Sequence, residues 1–226
     1  TKIIQHAVKG VDIAIGLFSP DGAWFESLSY YAYSMSYATR FLATLENTLG
    51  TDFGVSNSYG FSSSADTFAS FTGADNWYYG DSPTHEAFVT GFYWFAGRFH
   101  NGLAKWQHGS QVTNLFTALY ESSLSETNSK VSQPLDSIKT VSELSGENWV
   151  TFRSNWTNNG PTAVDTDDFF LGIKAGHPGV DPTNTHSHLD TGSFVLDAYG
   201  KRWLHDLGSN NYEAPGIWNA TKGRWD

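Results

Sequence analysis

The sequence predicts an α+β protein, with a helical portion over residues 1–138 followed by an antiparallel β portion over residues 139–226. Two observations predict it. Apolar residues recur at three- and four-residue spacing through the first part. After the polar stretch "NSKVSQPLDS" they fall instead into short runs rich in Val, Phe and Trp, bounded by Gly and Asn. Helices followed by strands in one chain suggest two layers or two domains in sequence.

The first helical segment is "IIQHAVKGVDIAIGLF". The second, "LSYYAYSMSYATRFLATLENTLG", is expected to stop at Gly50, because glycine readily takes the left-handed conformation that ends a helix. "DTFASFTGA", "THEAFVTGFYWFAGRFH" and "SQVTNLFTALYESSL" continue the pattern, joined by segments rich in Gly, Ser, Asp and Asn. Paired helices with loops between them suit an α/α toroid or a bundle. In the second helix Tyr30, Tyr33 and Tyr37 share one stripe, expected to be a core stripe whose phenols reach partners at the surface, while Tyr31 points elsewhere.

In the β portion, "NWVTFRS", "DDFFLGIKAG", "GSFVLDAYG" and "KRWLHDLG" read as strands, the last two joined by a tight reversal. His186 and His188 precede this hairpin and His205-Asp206 end it. Residues two apart share a face in a strand, and the hairpin would return Asp206 toward His188. Two imidazoles and a carboxylate are a partial ligand set for Zn²⁺; an ordinary His188–Asp206 hydrogen bond is the other reading of the same spacing. His205 alternates with Asp206 and is expected to be structural or exposed. Asp190 and Asp197 are expected in a turn and on the solvent face.

Composition narrows the function. The chain has no cysteine, so disulfides and thiolate metal sites are excluded. A formal net charge of −10 with 13 Lys plus Arg and no basic run argues against a nucleic-acid partner. No apolar run approaches the ~20 residues of a membrane span. Aromatic residues make up 16 %, which suits sugar faces as well as a core.

Together these segments resemble the heparinase II/III-like polysaccharide lyases. The resemblance is carried by "SPDGAWFESLSYYAYSMSY", similar to a P-D-G-x-W-x-E-G-x-x-Y-x-x-Y pattern, and by "FRSNW", "THSHLDTGSFVLDAYGKRWLHDLG" and "NNYEAPGIW". It implies an α/α toroid followed by an antiparallel β-sandwich. It further implies catalytic roles for Tyr30 and His186, with Tyr33 in reserve, and a mainly structural Zn²⁺ held by His188 and Asp206. Glu26, Trp24 and Tyr212 would bind substrate. Ser27 stands where the family usually has glycine. The residue that neutralises the substrate carboxylate and a third zinc ligand are not identified in residues 1–226, so an internal portion of a longer, secreted or periplasmic enzyme is expected.

The implied reaction is β-elimination on an acidic, uronate-containing polysaccharide. Rival readings are a non-catalytic carbohydrate-binding or structural module of the same fold, and a cupin-like metal enzyme, for which only Asp190 follows the H-x-H. A glycoside hydrolase would need two opposed carboxylates, and Asp21 and Glu26 lie too close in sequence for that.

Overall fold

The computed structural model describes residues 2–82, 91–99, 103–104, 139–156, 168–175, 188, 190–209, 211–215, 218–219 and 223–224. Among the described residues four α-helices, α1 (Lys2–Ile15), α2 (Leu28–Leu49), α3 (Ser64–Ser70) and α4 (Phe92–Phe99), precede the strands. The segment "SQVTNLFTALYESSL" and most of the residues before α4 lie outside the described residues. None of the described helices is long and apolar enough to cross a membrane.

Strands β1 (Val141–Leu144), β2 (Trp149–Arg153), β3 (Phe169–Lys174), β4 (Phe194–Ala198) and β5 (Lys201–Leu204) form one antiparallel sheet in chain order. A short pair, β6 (Trp218–Asn219) and β7 (Gly223–Arg224), stands apart from it. β4 and β5 are joined by Tyr199-Gly200, both at positive φ (53° and 69°), the backbone of a type I′ hairpin turn.

Helix α2 ends as its sequence requires: Gly50 sits at φ 71°, and its N–H bonds Glu46 O. Its buried face differs from the expected tyrosine stripe. Leu28, Tyr31, Ala32, Met35, Thr39, Leu42 and Ala43 face the core, whereas Tyr33 and Tyr37 are 64 % and 58 % exposed and pack on each other. The stripe spaced from Leu28 carries more apolar residues than the stripe of Tyr30, so Tyr31 is the tyrosine that turns inward. At the other end of the helix Ser27 has φ 122°, a region that favours glycine.

Helices and sheet share one core. One sheet face presents Trp149, Thr151, Phe170, Gly172, Val195 and Asp197, all buried, to the segment 71–79. Phe71 and Tyr79 meet Trp149 at ring-centroid distances of 5.4 and 4.7 Å. Gly172 leaves the space occupied by the Trp77 ring, since a Cβ there would lie 2.5 Å from Trp77 Cε3. Polar contacts stitch the same joint. Arg153 Nη2 donates to the carbonyls of Ala69, Ser70 and Thr72 at 3.3, 3.1 and 2.9 Å, satisfying the C-terminal end of α3. Asp21 accepts from Gly146 N at 3.0 Å and Ser145 Oγ at 3.2 Å, tying the loop before α2 to the β1–β2 turn.

Asp197 corrects the expectation of a solvent-facing residue. It is 3 % exposed and bonded to Arg202 and Ala74 N. Strand β4 carries apolar residues on both faces, so alternation gave no sign of which way Asp197 points.

Candidate functional site

The residues that meet at the helix–sheet boundary are brought there from distant parts of the chain. Ser82 Oγ accepts from Ser29 N at 3.2 Å, satisfying an N–H in the first turn of α2 that Ser27 does not cap. That bond sets the segment around Asp81 beside the helix start that carries Tyr30. Tyr79, two residues earlier, donates its phenol to Trp24 O at 2.9 Å and packs on Trp149 of the sheet. Asp81 is therefore held from both sides.

Its carboxylate is shared. Oδ1 lies 2.9 Å from His188 Nε2, and Oδ2 accepts the phenol proton of Tyr212 in a short hydrogen bond. The Asp81 side chain is fully buried and that of His188 is 11 % exposed. Burial, the bond to Asp81 and its charge, and the neighbouring Tyr30 all hold the Tyr212 phenol well above its ordinary pKa. Tyr30 from α2, Tyr212 from the segment after β5, Asp81 and His188 thus form one polar cluster.

Asp206 lies nearby. Burial, foremost, pushes its carboxyl up; Asp190 adds to this, while the Gly208 N–H bond at 2.9 Å, His188 and Lys174 pull the other way. Lys174 is itself buried and pairs with Asp190 at 2.6 Å, its ammonium 5.5 Å from the Tyr79 ring centre. Asp190, expected in a turn, does lead into one, yet its side chain is largely buried in this pair.

The other sequence-derived candidates fall as follows. His186 lies outside the described residues. Tyr33 is exposed on α2, its ring tilted against that of Tyr37 at a centroid distance of 4.9 Å. Trp24 is 6 % exposed, packed in the core, and donates Nε1–H to Glu26 Oε2 at 3.1 Å. His205 is exposed, and Asp206 follows β5 rather than ending it. Asp81 was not anticipated: it lies 107 residues from His188, and the only sign of it was an acidic residue closing the aromatic run "WYYGD".

A pair of donors for a cation is present in His188 and Asp206. Among the described residues no group of three or more His, Cys, Asp or Glu side chains could hold a metal ion.

The arrangement is that of an α+β protein with a polar, tyrosine-bearing site at the junction of its helices and its antiparallel sheet. Residues 139–224 match the family model described as heparinase II/III-like, C-terminal. Among solved structures the chain is similar to a mutant of the heparan sulfate lyase HepC from Pedobacter heparinus, with a TM-score of 0.60 and 18 % sequence identity. The similarity covers 92 % of this chain and 29 % of that one, so the chain spans under a third of that lyase's length. No curated protein sequence matches the chain.

Proposed function

We propose that the chain is part of a polysaccharide lyase that cleaves an acidic, uronate-containing polysaccharide by β-elimination, leaving products with a C4–C5 double bond. In this reading residues 1–138 belong to an α/α toroid and residues 139–226 to an antiparallel β-sandwich, in an enzyme that is secreted or periplasmic. The observation that carries it is the convergence of Tyr30, on the helical side, with Tyr212, Asp81 and His188.

The C5 proton of a uronate is weakly acidic, because the adjacent carboxylate resists further negative charge. Neutralising that carboxylate stabilises the enolate-like transition state. Tyr30 or His186, according to the stereochemistry at C5, takes the proton, and Tyr30 returns one to the leaving oxygen at C4. Tyr212 and Glu26 shape the place where the sugar lies, Trp24 supports Glu26 from the core through its indole N–H, and Tyr33 lies further out on α2.

His188 and Asp206 suit a divalent zinc ion in donor chemistry: an imidazole nitrogen, and a carboxylate whose ionised form burial disfavours unless a cation stands beside it. Zinc would supply that charge and fix the two ends of the β4–β5 hairpin; a third ligand is not found among the described residues.

The test is ultraviolet absorbance during incubation with a panel of uronate polysaccharides, using this chain and a longer parent. An increase from either protein, lost in Tyr30→Phe with the fold intact, supports the lyase. Binding without any absorbance change, from both proteins, would reject it in favour of a sugar-binding module.

A further inference from the structure

We propose that Asp81 is the positioning residue of this site: one buried carboxylate that fixes the His188 ring through Oδ1 and the Tyr212 phenol through Oδ2. The inference deepens the lyase reading and rests on it only where kinetics are concerned.

Three observations carry it. The Asp81 side chain is fully buried, so its two oxygens are satisfied by protein groups or not at all. Its position is imposed by neighbours on both sides: Ser82 is bonded to the first turn of α2, and Tyr79 is packed on Trp149 of β2. The groups it holds come from different places, His188 before β4 and Tyr212 after β5, so no local turn could set their separation.

The chemistry follows from the donor inventory. An ionised carboxylate only accepts, so His188 Nε2 and the Tyr212 hydroxyl both donate. His188 is thereby fixed with its proton on Nε2 and its lone pair on Nδ1, the nitrogen that would meet a metal. A carboxylate behind a histidine in this way sets ring orientation and raises its basicity, and losing one typically costs about 10–100-fold in metal affinity or activity. Asp81 touches no sugar in this scheme: it acts through His188 on kcat and through Tyr212, which faces the sugar, on KM as well.

The experiment compares the wild type with Asp81→Ala and Asp81→Asn. The alanine variant removes both acceptors. The isosteric asparagine variant keeps the shape and leaves one acceptor oxygen for two donors, so it remains informative if the alanine variant fails to fold. Two-bond ¹H–¹⁵N spectra, with His188 assigned by His188→Gln, report the ring tautomer. The wild type is expected to show the Nε2–H form alone. D81A should lose that preference, and D81N should shift the signals of His188, Tyr212 or both. On a turned-over polysaccharide, kcat should fall about 10–100-fold, and KM should rise as the Tyr212 phenol is released. Unchanged ring signals in folded variants, or a change in KM alone, would overturn the assignment. If the wild type turns over none of the polysaccharides, the lyase reading fails while the ring spectra still decide whether Asp81 positions His188.

Discussion

Arg202, on the last strand of the sheet, grips both carboxylate oxygens of Asp197 on the adjacent strand, Nε to Oδ1 at 2.6 Å and Nη2 to Oδ2 at 2.8 Å. The same guanidinium donates to the carbonyls of Asn76 and Asp75, each at 2.7 Å, while Asp197 Oδ2 accepts from Ala74 N at 2.7 Å. One ion pair therefore fastens the 74–76 loop across the sheet's inner face. Replacing Arg202 by Ala leaves Asp197 buried without its cation, which typically costs about 3–5 kcal/mol. Urea unfolding of R202A should show a markedly lower midpoint with an unchanged slope, and R202K should recover only part of the loss because lysine has no planar fork.

Ser27 stores backbone strain at φ 122° at the start of α2, and its hydroxyl does not cap the helix. A residue held in such a region costs about 1–3 kcal/mol, against roughly 0.5–1 kcal/mol for the extra freedom a glycine gains when unfolded. Ser27→Gly is expected to stabilise the protein by about 1 kcal/mol and to raise Tm by about 2–4 °C. A lower Tm in scanning calorimetry would contradict this.

Gly172 is required by the indole of Trp77. The added methyl of Gly172→Ala would sit 2.5 and 2.7 Å from two ring carbons and 3.2 Å from Val195 Cγ2, in a core where Trp77 is fully buried. Overpacking of this kind costs about 1–3 kcal/mol. The double variant G172A/W77L should lose less stability than the sum of the two single changes, since the methyl then enters vacated space.

Acid should act through Asp52. Burial alone would raise its carboxyl, but hydrogen bonds from Ser56 and Gly54 and the Arg98 guanidinium outweigh it and hold the pKa below the ordinary value of 3.8. The unfolded chain then takes up a proton more readily than the folded one, so stability rises with pH through this window. The contribution is complete above about pH 5 and is lost as the pH falls through the folded-state value. Asp52→Asn should be less stable than the wild type at pH 6, with the gap closing toward pH 2 in thermal melts.

The elements that follow local rules were legible in the sequence. Gly50 ends α2 because its left-handed backbone was written into the residue, and Tyr199-Gly200 closes the β4–β5 hairpin. Choices decided by tertiary packing were not legible. Tyr31 rather than Tyr30, Tyr33 or Tyr37 enters the core because neighbouring apolar residues outweigh the tyrosine spacing. Asp197 turns inward because Arg202 meets it there, on a strand with apolar residues on both faces. Asp81 joins His188 only through folding, since no periodicity spans the 107 residues between them.

The rings of Phe71, Trp77, Tyr79 and Trp149 fill the joint between helices and sheet, with centroid separations of 4.7–5.7 Å. A joint filled in this way cannot serve as a hinge: opening it by even a small angle would part the rings and wet indoles that are now dry. The angle between the two parts is therefore set before any ligand arrives. Any adjustment at the polar cluster must come from side chains and loops around Tyr30 and Tyr212, moving against a frame that keeps its width.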